Sequence, residues 1–214
     1  IHNVKTAFHF AKGPEKMNDR SKIVFIGDSI TFGYGVCKER RWTNLLNLNS
    51  DIEIINKGVN GDTTAGILSR SYKDIISNYP NYTVILAGTN DLLLGRSLNS
   101  IEDNIQLLIK ELSEHNINSI PATPIPICSS MADTMWAEHL DYKQINEEIY
   151  NYRSFLIEYA HENKMEVIDF FPIIKDAAEN NKNSFIYIDG IHPTEYGHKL
   201  MAQCALKKLK CIIK

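Results

Sequence analysis

The stretch that most constrains this chain is Ile23 to Thr31, where the apolar run Ile23, Val24, Phe25, Ile26 stops at Gly27, Asp28 and Ser29. A short β-branched and aromatic run cut off by a glycine and small polar residues reads as a buried strand ending in a sharp turn. In an open parallel sheet, the carboxyl end of a strand is where ligands and chemistry collect. Ser29 therefore sits where a nucleophile can sit. Its hydroxyl becomes reactive only if a base takes the proton and donors hold the oxyanion that forms.

The rest of the chain repeats the strand-then-loop pattern. Ile52, Ile54 and Ile55 predict a second strand, followed by a turn-rich loop from Asn56 to Thr64 and a helix with Ile67, Leu68, Tyr72, Ile75 and Ile76 at helical spacing. Tyr82–Ala87 is apolar throughout, as a strand covered on both faces should be, and stops at Gly88, Thr89, Asn90 and Asp91. Ser100 with Asp103 predicts a capping box at the start of the next helix. Ile117–Ala122 is a fourth strand, and Val167 with Ile168 marks a fifth. Helical segments are expected near Arg40–Leu48, along the Tyr142, Ile145, Ile149, Tyr152, Leu156, Tyr159 stripe, over Phe170–Ala178, and from Pro193 or Thr194 onward. Five strands alternating with helices imply a parallel sheet with helices on both faces.

At 214 residues the chain can bury one substantial core, so residues 21–214 are expected to form one domain. Residues 1–20 lack a clear period and read as a peripheral extension, with Met17 a candidate natural start. A formal charge of −3, with no basic run, argues against a nucleic-acid partner. No apolar stretch is long enough to span a membrane and no signal peptide is visible, which points to the cytoplasm. Cys37, Cys128, Cys204 and Cys211 lack paired spacing and read as free, buried thiols in a reducing compartment. No phosphate loop, zinc helix or Cys-x-x-Cys pair is present, so neither a cofactor nor a metal is expected.

Asp189 and His192 lie three residues apart in a loop, close enough for the carboxylate to reach Nδ1 and leave Nε2 free to face Ser29. The backbone N–H groups of Ser29 and Gly61 and the side-chain amide of Asn90 are the candidate oxyanion donors.

The blocks Gly27-Asp28-Ser29, Asn56 to Thr63 with Gly61, Gly88-Thr89-Asn90-Asp91, and Asp189-Gly190-Ile191-His192-Pro193 occur in an order that resembles the GDSL, or SGNH, hydrolase family. The resemblance covers the chain after residue 20. It implies a flavodoxin-like three-layer α/β/α sandwich and metal-free hydrolysis of esters or thioesters through an acyl-enzyme on serine. Carried over, Ser29 is nucleophile and first oxyanion donor, Gly61 and Asn90 are the other donors, His192 is the base and Asp189 its orienter. Ile30 departs from the leucine of the family name, an apolar swap. Gly61 is chosen over Gly58 because Asp62 and Thr63 follow it.

Around this set the readings stay open. Trp136 with Met131 and Met135 either packs under the long Thr123–Leu140 linker or lines an acyl or leaving-group pocket. Leu92 either lines the site or joins the core. Asp28 and Asp91 are read as turn residues, and Asp62 and Thr63 as helix caps. The expected substrate is a small ester of acyl, acetylated-sugar or lysophospholipid type. Acyl transfer through the same triad and a non-catalytic nucleotide- or sugar-binding module are the alternatives. Oligomeric state is not encoded.

Overall fold

The computed structural model describes residues 21–48, 52–137 and 139–213. The expected extension over residues 1–20 lies outside them. β1 (Ser21–Gly27) is followed by a one-turn helix α1 (Ser29–Phe32), and β2 (Ile52–Gly58) by α2 (Thr64–Asp74). β3 (Tyr82–Leu86) leads through the short α3 (Thr89–Leu93) to α4 (Leu98–Glu114). β4 (Asn118–Ala122) leads through α5 (Ser129–Met135) to α6 (Tyr142–Glu162). Beyond these come α7 (Phe171–Asn180), α8 (Asn183–Ile186) and α9 (Glu195–Ile212).

The strands pair in parallel in the order β2-β1-β3-β4. The chain steps outward from β1 to β2 and then crosses to β3 on the other flank of β1. That reversal makes the carboxyl end of β1 the switch point of the sheet, where an open α/β sheet leaves a crevice.

Alternation along β1 sorts the core into two layers. Val24 and Ile26 meet Ile67 of α2, Ile105 and Leu108 of α4, and Ile149 and Tyr152 of α6. Ile23 and Phe25 face the other way, onto Trp42, Ile174 of α7, Ile186 of α8 and Met201 of α9. Trp42 stands edge-on to Phe25 and Phe170, with ring centroids 5.1 and 5.2 Å apart. Its removal is expected to cost about 3–5 kcal/mol, the usual range for emptying a large aromatic site.

The sheet has four strands rather than the expected five. Val167 and Ile168 contribute a single parallel bridge, Ala122 to Ile168. Ile168 N–H donates to the Pro121 carbonyl and Thr123 N–H to the Ile168 carbonyl, each at 2.9 Å. The next rung upstream would need an N–H on Pro121, which proline lacks. Downstream, Phe170 N–H donates to the Thr123 hydroxyl oxygen at 2.9 Å, so a side chain ends the ladder.

Two other expectations shift. Arg40–Leu48 is not a helix: Lys38–Arg40 forms one 3-10 turn, and turns follow. There Trp42 N–H donates to His198 Nδ1 at 3.3 Å, tying this turn to α9. α4 starts three residues early, because Ser97 rather than Ser100 is the cap, accepting from Ser100 N–H at 3.3 Å. The four cysteines are free but not buried as expected, Cys37 and Cys211 being exposed and Cys128 and Cys204 partly so, and no helix among the described residues is long and apolar enough to cross a membrane.

Candidate active site

Gly27 ends β1 where a side chain has no room, since a Cβ there would collide with the Leu86 carbonyl and the Thr31 side chain. Asp28 then caps α1, its carboxylate accepting from Ile30 N–H at 2.8 Å, which fixes Ser29 as the first helical residue. Trp42 steadies this turn from below by donating its indole N–H to the Ile30 carbonyl at 3.0 Å. Burial pushes the Asp28 carboxyl up to about 7. The Ile30 N–H and the charge on His192 oppose that rise, and Asp62 and Asp91 add to it.

Asp189 and His192 meet Ser29 from the loop before α9. Asp189 Oδ1 accepts from the backbone N–H groups of Ile191 and His192 at 3.0 and 2.8 Å, and its Oδ2 lies 2.7 Å from His192 Nδ1. A carboxylate only accepts, so Nδ1 carries the proton. Nε2, 2.8 Å from Ser29 Oγ, is then the acceptor of the serine hydroxyl. Burial raises the Asp189 carboxyl, but the hydrogen bonds from the His192 ring, His192 N–H and Ile191 N–H outweigh it and hold the group at about 2. The Asp189 carboxyl therefore stays ionised through the physiological range. Ser29, Asp189 and His192 are all buried.

The loops after β2 and β3 close on this turn from both sides. Gly61 holds φ at +76°, a left-handed conformation that glycine adopts without strain, and a Cβ there would meet nothing within 4 Å. Asn90, on α3, donates one amide hydrogen to the Asp62 carbonyl at 2.9 Å, which leaves its second hydrogen for another acceptor. Asp91 does not close its own turn as expected: its carboxylate accepts instead from Thr64 N–H at 2.9 Å and from the Thr64 hydroxyl at 2.6 Å, tying α3 to the start of α2. Thr63 caps α2 through Gly66 N–H, as expected.

Arg70 was invisible to motif reasoning, and it joins the pieces. Its guanidinium donates to Asp62 Oδ2 at 2.7 Å, to Asp74 Oδ2 and the Lys57 carbonyl at 2.9 Å, and to the Gly27 carbonyl at 3.1 Å. One partly buried side chain thus spans the end of β1, the end of β2 and the Gly61 loop. Tyr34 carries only a local signal in the sequence, the Gly33-Tyr34-Gly35 pattern after the Ser29 turn. Its ring centroid lies 4.5 Å from that of His192, and the Trp136 ring lies 5.5 Å from it. Met135 and Trp136 end α5 with more than half of each exposed. Leu92, by contrast, packs in the core layer of α2, α4 and α6. His198 is a buried support beneath Trp42, and burial, with the charges of Arg41 and His192, pushes it down to about 4. Among the described residues, no group of three or more His, Cys, Asp and Glu side chains is placed to hold a metal ion.

Fold and site together define a parallel α/β sandwich with a hydroxyl, an imidazole and a carboxylate linked in series at the switch point. Residues 25–200 match the family described as "GDSL-like Lipase/Acylhydrolase family", and the chain belongs to that family. It is 29% identical over 104 residues to the arylesterase of Vibrio mimicus, covering 46% of this chain and 52% of that protein, so the chain spans about half of that relative's length. It is 23% identical over 220 residues to the acetylxylan esterase of Geobacillus stearothermophilus, covering 91% of this chain and 96% of that one. A solved member of the lipolytic protein G-D-S-L family from Veillonella parvula superposes with a TM-score of 0.75 at 25% identity, covering 89% of this chain and 98% of that one.

Proposed function

We propose that the protein is a serine esterase of small ester substrates, with residues 21–214 acting as one catalytic domain. The observation that carries this reading is the unbroken series Ser29 Oγ, His192 Nε2, His192 Nδ1, Asp189 Oδ2, with 2.8 and 2.7 Å links. Family membership and the relatives named as an arylesterase and an acetylxylan esterase support ester hydrolysis as the reaction.

In the first half-reaction Ser29 Oγ attacks the ester carbonyl carbon while its proton passes to His192 Nε2. The negative charge that develops on the carbonyl oxygen is met by the N–H groups of Ser29 and Gly61 and by the free amide hydrogen of Asn90. Each such donor is worth about 100- to 1000-fold in rate. Asp189, ionised and held by two backbone N–H groups, stabilises the imidazolium. The carbon–oxygen bond to the alcohol then breaks, and Nε2 gives that oxygen its proton. In the second half-reaction water adds to the acyl-serine, its proton goes to Nε2 and returns to Ser29 Oγ, and a carboxylic acid leaves.

Hydrolysis of a p-nitrophenyl ester series from acetate to decanoate, by wild type and Ser29→Ala, tests this reading. Turnover by wild type alone is expected, with the chain-length optimum sizing the acyl side. Equal activity in the two proteins removes Ser29 as nucleophile, and an inert wild type favours a binding role. The exposed thiols of Cys37 and Cys211 fit a reducing compartment.

A further inference from the structure

The proton that leaves with the alcohol comes from His192 Nε2, so the leaving oxygen must lie within a hydrogen bond of that atom. Whatever the oxygen is attached to therefore lies against the His192 side of the site. The carbonyl oxygen points instead toward the Gly61 and Asn90 loops. This separates the alcohol half of the substrate from the oxyanion half. Two rings from unconnected segments lie against the imidazole. Tyr34, in the loop after α1, has its centroid 4.5 Å away, tilted by 44°; Trp136, ending α5, has its centroid 5.5 Å away, tilted by 38°. The imidazole is 4% exposed, whereas the two rings that touch it are 44% and 53% exposed. Both rings thus keep open aromatic surface within contact range of the group that gives the leaving oxygen its proton. A large apolar surface left open next to buried polar machinery marks a contact for a ligand.

We propose that Tyr34 and Trp136 form a leaving-group subsite for an alcohol whose oxygen is carried on a ring, a phenol or a pyranose, rather than on an alkyl chain. The inference rests on the serine-esterase reading above. A phenyl ring can stack on an aromatic face with centroids about 4.5–7 Å apart, and a pyranose chair can lay a C–H face on one, whereas a flexible chain touches the same face with fewer atoms and loses more freedom on ordering. The acyl group is not read by this pair.

The test holds the acyl group constant as acetate and varies the alcohol: phenyl acetate, an acetylated methyl xyloside and ethyl acetate. Every substrate gives the same acetyl-enzyme, so kcat/KM differences report acylation. Leaving-group acidity is unchanged between wild type and variant and cancels in their ratio. Trp136→Ala and Tyr34→Ala are each expected to lower the ring-to-ethyl ratio of kcat/KM about tenfold, with Tyr34→Phe retaining it. Tyr72→Ala, which removes an exposed ring on α2, serves as the remote control. A larger loss on phenyl acetate identifies phenols as the natural source, and a larger loss on the xyloside identifies carbohydrates. A ratio within about twofold of wild type in both alanine variants overturns the subsite, as does a loss that follows acyl length in the p-nitrophenyl series instead of the alcohol. If wild type turns over none of the esters, or Ser29→Ala retains turnover, the esterase reading fails first and the subsite falls with it. That failure is visible before any ring variant is compared.

Discussion

The two flanks of His192 are built in opposite ways. On the Ser29 side, the reacting groups are buried and the turns that carry them are tied to one another by side-chain hydrogen bonds. Arg70 joins Gly27, Lys57 and Asp62, Asp91 joins α3 to α2, and Trp42 props α1. On the Tyr34 and Trp136 side, the rings are half exposed and stand on loop and helix-end residues. The first flank suits chemistry, where a misplacement of about 1 Å can cost on the order of 100-fold. The second suits selection, where a surface can change its partner without disturbing the reacting atoms.

The sharpest break in that contrast is expected at Ser29. Ser29→Ala is expected to reduce kcat by about 10^5- to 10^6-fold, and combining it with His192→Ala should cost little more, because the groups act as a unit. Additive losses in steady-state kinetics would contradict a shared mechanism. One step down, Asn90→Ala should lower kcat about 100- to 1000-fold with KM little changed, since the lost bond forms in the transition state. An equal change confined to KM would instead assign Asn90 to ground-state binding.

Arg70→Met tests whether the buried scaffold positions the chemistry. A drop in kcat of about ten- to a hundredfold is expected, partly recovered by Arg70→Lys, because a lysine reaches some of the acceptors but cannot fork between them. A loss of thermal stability with kcat intact would leave Arg70 purely structural.

The smallest effect concerns Asp28. Its carboxyl is raised by burial to about 7 in the folded chain, against an ordinary value of 3.8. The folded state thus holds this proton more tightly than the unfolded state. The stabilising contribution is complete below about pH 4 and is lost as pH rises toward 7, at up to about 1.4 kcal/mol per pH unit. Asp28→Asn keeps the acceptor for Ile30 N–H and removes the titration. Its stability relative to wild type, measured by urea unfolding, should therefore be greater at pH 8 than at pH 5. A pH-independent difference would show that Asp28 is ionised at both pH values or at neither.

The same contrast explains what could be read from the residues alone. Ser29, Asn90, Asp189 and His192 stood out because each ends a strand or follows a turn, a local pattern written in three to five neighbouring residues. β1, β3 and α6 were legible for the same reason, their apolar spacing being continuous. Arg70 looked like any basic residue on an amphipathic helix, and its role depends on three carbonyl and carboxylate partners from other segments. The fifth strand failed at Pro121, where one absent N–H outweighed the apolar signal of Val167 and Ile168 in the neighbouring segment. Tyr34 and Trp136 lie about a hundred residues apart, and only the fold brings both to His192.

Activation of Ser29 by His192 is the step on which the proposed reaction depends. Incubation of the protein with a fluorophosphonate, followed by intact-mass and peptide-mass analysis, reads that directly. One adduct per chain, located on Ser29 and abolished by His192→Ala, is the predicted result. No adduct, an adduct on another residue, or undiminished labelling of the His192→Ala protein would contradict it.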